Sequence, residues 1–479
     1  MGFSSFILTQ KFSNDIPFTA TELPHVFTTY RKALEDLRDR PKDVLAAPKS
    51  LPPLPDKSTI PAQCNPFKIP TFYAGLELAL LSPLQMDVII PTKPNPISSA
   101  HPFHGGSRTG HERIAHLISS GAMTKYKDTR NGLLGTDFST KLSAWLALGC
   151  ITARQIHKQL QLFEDGENEI WEDVEGYGKG ENPGTKAIRF ELLWRDYMRL
   201  CTRKIGPKLF CVSGIKEGAQ LSWRSPTDSP ETKRLLERFL NGTTGMGLID
   251  ASQREVFLTG YTSNRARQNV ASFLSKHLGI DWRYGAEWYE SMLVDYDLSN
   301  NWGNWQYTAG VGSDPRSDRI FNPVKQAYDY DREAEYIKTW VPELKGVDNP
   351  AECWQAWTIP VYKRKDLGLE GLDWVEKPLK KIQFTAGRRP TSSKQKPAQG
   401  QRRQSGSGSS GGNGINSSVG GNLKNEEIAQ TNQTAAPGTG AGRGQRYAGA
   451  SYGSGGGGGF NGRGYGHGRV GGRGGRTRG

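Results

Sequence analysis

From His111 to about Leu344 the chain carries a helical pattern almost without interruption, and this constrains its fold more than any other feature. Apolar residues recur three and four apart over segments 109–120, 139–148, 152–162, 184–203, 230–240, 249–259, 263–278, 283–294 and 331–339. Gly-rich turns such as NGLLGT and NGTTGMG separate them. No run of alternating β-branched residues competes for a sheet. The spacing predicts an all-α domain over residues 105–345, with 346–384 as a C-terminal extension of the same body.

The flanks differ. In residues 1–40, Leu23, Val26, Phe27, Tyr30 and Leu34 recur at helical spacing and predict a short linker helix over 23–38. Residues 41–104 form a proline-rich irregular linker; Pro41, Pro48, Pro52, Pro53, Pro55, Pro61, Pro66 and Pro70 make its first part polyproline-like. The tail, 385–479, holds fourteen Lys and Arg against two Glu, and 29 of the 58 glycines, whereas all 12 tryptophans precede Val375. The net charge of +14 therefore belongs almost wholly to the tail, and the body is near neutral. So little apolar surface cannot offset chain entropy, so the tail is expected to be disordered. Its arginines sit among glycines with Tyr447, Tyr452, Phe460 and Tyr465 interspersed, a composition suited to RNA or single-strand binding through phosphate contact and base stacking. A solubilising extension is the plainer alternative.

The five cysteines (Cys64, Cys150, Cys201, Cys211, Cys353) are scattered, odd in number and without a CxxC pair. They imply a reducing compartment, no disulfide framework and no metal site. No apolar run reaches the length of a membrane span. The expectation is an intracellular protein without a membrane partner, with nucleus, cytoplasm and organelle all open.

Three segments are rich in groups that can carry chemistry. TDFSTKLSAWLALGC sets Ser139, Thr140 and Ser143 at the start of an apolar helix, where hydroxyls and free N–H groups suit an anion or simply cap the helix. Tyr126 adds an aromatic with a polar tip nearby. In KAIRFELLWRDYMRLCTRK, Glu191 and Arg195 are four apart and pair along one face, with Trp194 adjoining; a solvated salt bridge is the bland alternative. YTSNRARQNVASFL opens with Asn264, Arg265 and Arg267, a surface basic turn or a pair of arginines of which one neutralises a buried carboxylate such as Asp295.

A fourth stretch, VDYDLSNNWGNWQY, gathers Asp295, Asp297, Asn301, Trp302, Trp305 and Tyr307. Together, FSTKLSAWLALGCI, ELLWRDY, LTGYTSNRARQNVASFL, DWR, VDYDLSNNWGNWQYTAG and DPRSDRIFNPVKQ closely resemble the flavin-binding domain of the photolyase/cryptochrome family, most like its DASH-type branch. The resemblance covers about 105–345, with a weaker match at ELPHVFTTYRK, 22–32.

The resemblance implies a folded FAD in an all-α domain. Tyr126 and the run Ser139, Thr140, Lys141, Leu142, Ser143 would hold the phosphates and adjoining parts. Asp295 would pair with Arg267, Asp297 would lie beside the flavin and its ribityl–adenine side, and Asn301 would face flavin N5. Trp305, Trp282 and Trp223 match the family's electron-hopping chain, each ring contacting the next; Trp302 is read as packing. Glu191, Trp194, Asn264, Arg265 and Tyr307 correspond to the pocket for a flipped pyrimidine dimer. The implied activity is light-driven repair of cyclobutane pyrimidine dimers in single-stranded DNA, a deoxyribodipyrimidine photolyase. The alternative is a non-repairing blue-light photoreceptor or RNA-binding cryptochrome. Ser263 stands where the six-four branch needs a histidine, which disfavours that repair. Family members begin with an α/β antenna domain, and only about twenty unmatched residues precede the linker helix here. The expectation is a gene model truncated upstream, and an antenna folate is not implied.

Overall fold

The computed structural model describes residues 18–19, 21–34, 38–39, 41–46, 48–50, 52–53, 55–56, 58, 71–81, 103–216, 222–314, 316 and 319–384. The tail 385–479, and with it the expected nucleic-acid-binding aromatics, lies outside these residues, as does much of the proline-rich linker. Fourteen helices organise the described part: α1 Phe27–Lys32, α2 Tyr73–Leu81, α3 Ser107–Ser119, α4 Tyr126–Thr129, α5 Ser143–Ala147, α6 Ala153–Glu164, α7 Pro183–Ile205, α8 Pro230–Leu240, α9 Gly247–Thr259, α10 Asn264–Ser272, α11 Trp282–Met292, α12 Leu298–Ala309, α13 Pro323–Tyr330 and α14 Glu335–Trp340. Short helical turns follow between Pro350 and Glu376. Among the described residues the one β feature is an isolated bridge between Arg224 and Ile280, and no helix is long and apolar enough to cross a membrane.

Local signals set the helix ends. Asn182 caps α7 by accepting from the Gly184 and Thr185 N–H groups, Pro183 opens its first turn, and the chain leaves at Gly206. Thr152 and Gln155 form a reciprocal capping box on α6. Asp297 caps α12 through the Asn300 N–H, and Gly310 ends it in the left-handed conformation.

The core is centred on α9, buried continuously from Gly247 to Val256, charged residues included. A helix buried all round must pair its polar groups internally. Asp250 accepts from the N–H groups of Thr244 and Gly245, Arg254 forks onto Glu343 at 2.9 and 2.7 Å, and Tyr336 Oη donates to Glu255 at 2.7 Å. Helices α10 and α14 pack on α9, while α12 packs between α7 and α11.

Five expectations change. The linker helix expected over 23–38 is helical at Phe27–Lys32, with Ala33 closing it. Residues 73–81, expected to be irregular, are helical as α2. The helix expected over 139–148 shrinks to Ser143–Ala147, because Ser139 and Lys141 hold left-handed backbone angles (φ 67° and 54°) that no helix continues through. The helix expected over 331–339 starts at Glu335; Asp331 instead accepts from the N–H groups of Tyr336 and Ile337, and α13 precedes it. Finally, α10 gives way to a π-turn at Phe273–His277 rather than running unbroken to 278.

Candidate functional site

The Thr136–Ser143 loop, Tyr261 and the start of α10 form one wall. Arg113, buried on α3, pins the loop by donating to the Thr136 and Thr140 carbonyls and to Asp137. Ser139 lies beside the buried Tyr126 hydroxyl. Burial first, and then the charge of Glu191, push that phenol well above its usual pKa. With left-handed residues at 139 and 141, the N–H groups of Ser139, Thr140 and Lys141 take no acceptor among the described residues. Such alternating backbone makes a concavity of N–H donors.

Lys141 behaves otherwise than a phosphate-reaching lysine. Its Nζ turns inward and donates to the carbonyls of Gly135 (2.5 Å) and Phe138 (2.9 Å). Burial lowers its pKa to about 8. Lys141 and Arg267 both approach the Tyr261 ring, at 6.0 and 5.5 Å from its centroid, so Tyr261 joins the loop to α10.

Arg267 Nη2 donates to both oxygens of Asp295, at 3.0 Å each, and Nε donates to the Thr262 carbonyl. Asp297, one residue beyond its neighbour, turns to α7 and meets Arg199 at 2.5 and 3.1 Å while accepting from Asn300. Burial pushes the Asp297 carboxyl up, but Arg199 and Asn300 outweigh it and hold the pKa below the usual range. Asn301, on the next turn, donates through Nδ2 to the Ala286 carbonyl on α11 at 2.8 Å.

The substrate-side residues form a second wall. Glu191 does not pair with Arg195 as their spacing suggests. It binds Arg130 at 2.7 Å, and Arg195 donates to the Leu146 carbonyl. The nearer partner lies on another element, and a guanidinium one turn along α7 loses to it. Glu191 keeps 44% of its side chain open, yet the protein crowded around it desolvates the carboxyl and raises its pKa against the pull of Arg130. Arg265 reaches Asn131 at 2.6 Å and lies over Tyr330. Glu191 and Arg265 thus converge on the Arg130–Asn131 turn. Trp194 donates to Asn304 at 3.3 Å and stands edge-on to Tyr307, ring centroids 5.4 Å apart at 87°. Asn264 opens α10 and is exposed, while Ser263 is that helix's N-cap.

The tryptophans are less continuous than expected. Trp305 is buried against Tyr289, and Trp282 meets Trp302, but no ring contact joins Trp305, Trp282 and Trp223 to one another among the described residues. The bridge between Arg224 and Ile280 does bring the Trp223 segment beside the start of α11. Sequence reasoning missed Arg113, Arg130, Arg199, Glu255 and Tyr261. Tyr261 and Arg199 stood inside quoted segments; none of the other three carries a local signal, since each matters through a partner distant in sequence.

Residues 188–378 match the FAD binding domain of DNA photolyase. A Neurospora crassa protein provisionally named as a mitochondrial cryptochrome DASH is 52% identical over 398 residues, 78% of this chain and 53% of that protein. The cryptochrome DASH of Natronomonas pharaonis is 38% identical over 366 residues, 76% of this chain and 68% of that protein. Among solved structures, the Synechocystis sp. PCC6803 cryptochrome superposes with a TM-score of 0.61 at 35% identity, over 77% of this chain and 70% of that one. The chain spans about half the length of its Neurospora and Gibberella relatives, 53% and 54%. Fold and site define a helical flavin-binding domain of the photolyase type. The chain belongs to the photolyase/cryptochrome family, in its DASH-type branch, and its cofactor is FAD.

The residues present fit that cofactor. The Ser139–Lys141 N–H groups suit a diphosphate, and Arg195 Nη1 is buried without a partner on α7, a donor left for a polar ligand.

Proposed function

We propose that the protein repairs cyclobutane pyrimidine dimers in single-stranded DNA under blue or near-ultraviolet light. The observation carrying this reading is the wall on which Trp194 meets Tyr307 edge-on while Glu191 and Arg265 reach one turn. Aromatic faces beside a carboxyl and a guanidinium suit a lesion turned out of its strand, since rings take the bases and cations take the backbone. Glu191 is the group for the base edges, and Asn264 and Arg265 are those for the flanking phosphates.

On the cofactor side, Tyr126, Ser139, Thr140, Lys141, Leu142 and Ser143 would hold the diphosphate and its surroundings. Lys141 contributes its backbone N–H, because its ammonium is engaged by Gly135 and Phe138. Arg267 neutralised by Asp295, and Asp297 by Arg199, let two carboxylates line the site without an unpaired buried charge. Asn301 offers the flavin a neutral amide, which does not repel an anion as a carboxylate would. Reduced FAD, when bound, supplies the photoexcited electron that splits the dimer and recovers it afterwards. Trp305, Trp282 and Trp223 serve reduction of the cofactor by passing electrons inward from the surface.

The full chain, loaded with FAD and reduced chemically, is to be illuminated with an oligonucleotide carrying one thymine dimer. Light-dependent return of intact thymines supports repair, and binding without turnover overturns it. A second reading, a photoreceptor that engages RNA, is favoured by the tail's fourteen Lys and Arg set among glycines. Binding without turnover, together with RNA affinity that falls steeply with salt, would select it.

A further inference from the structure

Trp302 is packed between two aromatic neighbours. Its ring lies 5.8 Å from that of Trp282 at 80°, and 4.9 Å from that of Phe210. What sets it apart is its N–H, which donates to Glu290 Oε2 at 2.8 Å. Glu290 is exposed at the end of α11. Tyr296 and Glu287 lie close enough to Glu290 to feel its charge. Among the described residues, Trp282 and Trp223 on the electron path lack such an acceptor. Trp282 donates to the Val212 carbonyl, which cannot take a proton, and the buried Trp223 N–H has no partner.

An indole that loses an electron becomes a strong acid at nitrogen. A carboxylate in hydrogen-bond contact both stabilises that cation and accepts its proton. We propose that Trp302 and Glu290 form a proton-coupled side station on the photoreduction path, where the oxidising equivalent comes to rest. The oxidant is the photoexcited oxidised flavin, which draws an electron along the tryptophans. Oxidised Trp282 then takes one electron from Trp302, and the Trp302 indole proton passes to Glu290 Oε2. Trp282 returns to its neutral closed-shell form, Trp302 is left as a neutral radical, and Glu290 is left protonated beside solvent. Charge recombination is slowed because the proton must return with the electron. This inference rests on the reading that places Trp282 on the photoreduction path.

Transient absorption after a blue flash tests it on the FAD-loaded full chain, comparing wild type with Trp302→Phe, Glu290→Gln and Trp282→Phe. The neutral indolyl and the indolyl cation radicals have distinct visible bands. Wild type is expected to show a long-lived neutral radical. Glu290→Gln, isosteric and exposed, should leave a cation radical that recombines about tenfold faster, the scale of one charge-assisted hydrogen bond. Trp302→Phe should abolish the neutral radical. An unchanged neutral radical in Glu290→Gln and Trp302→Phe overturns the proposal, while loss of all tryptophan radical in Trp282→Phe keeps the path itself. If Trp282→Phe is also unchanged, the path assignment falls with it.

Discussion

Arg267 holds both oxygens of Asp295 from one nitrogen, and the carboxylate side chain is only 3% exposed. The pair joins α10 to the turn before α12. Arg267→Met would strand a buried carboxylate, which costs about 3–5 kcal/mol. A fall of that size in urea unfolding free energy is expected. The double variant Arg267→Met, Asp295→Leu should recover much of it, and equal losses in single and double variants would show that the pair carries no such charge penalty.

Gly285 on α11 faces the Trp305 ring so closely that a Cβ there would lie 2.2 Å from Cη2 and 2.5 Å from Cζ3. Gly285→Ala must displace the indole, and overpacking of this kind costs about 1–3 kcal/mol. The thermal midpoint should drop, and Trp305→Phe in the same chain should restore part of it because the smaller ring leaves room. Additive losses in the double variant would place the strain elsewhere.

Glu255, at the heart of α9, has its carboxyl raised from 4.5 to about 7, by burial first, against the hydrogen bond from Tyr336 and the charges of Lys141 and Arg267. The folded state binds this proton more tightly than the unfolded chain. Its contribution to stability is therefore full below pH 4.5 and is lost as pH rises to about 7. Burial and Arg189 lower His157 to about 4, and its folded state resists a proton that the unfolded chain takes up below about 6.5, so stability rises with pH across much of the same window. The two slopes oppose each other, and the difference between wild type and Glu255→Gln isolates the carboxyl. That difference should shift in favour of the variant by roughly 2–3 kcal/mol between pH 5 and 8, at about 1.4 kcal/mol per pKa unit. A difference constant with pH would mean that Glu255 titrates normally.

The helical body, the cofactor class and the Arg267–Asp295 pairing were legible in the sequence because motif wording and apolar period both carry over a long span. Helix α12 was not. Asn300, Asn301, Gly303 and Asn304 are weak helix formers, and the helix is set by the Asp297 cap, the Gly310 stop and packing against α7 and α11. Glu191 was matched to Arg195 by local spacing, whereas its partner Arg130 lies on a turn that only the tertiary fold brings near. Lys141 was placed in the run that would hold the phosphates, yet its ammonium turns into its own loop, onto the Gly135 and Phe138 carbonyls. Trp302 looked like packing because nothing in the sequence ties its N–H to a glutamate twelve residues earlier.

Tyr307 is the sharpest test of the lesion-binding wall, since among the described residues Arg316 is the one polar partner of its hydroxyl, at 3.4 Å, and Trp194 the one ring it meets, edge-on. Trp194 is a poorer choice for mutation because it also packs on Phe27 of α1 and donates to Asn304. Removing the Tyr307 ring should weaken lesion binding by one stacking contact, about 1–3 kcal/mol or on the order of tenfold in Kd. Fluorescence anisotropy with a labelled single strand carrying a thymine dimer would read this in Tyr307→Ala, with the flavin absorbance of the same sample confirming that FAD is retained. Tyr307→Phe keeps the ring and should bind within about twofold of wild type, because the lost hydroxyl contact is long and weak. Wild-type affinity in Tyr307→Ala would remove this residue from the wall and leave Trp194, Glu191 and Arg265 to hold the strand.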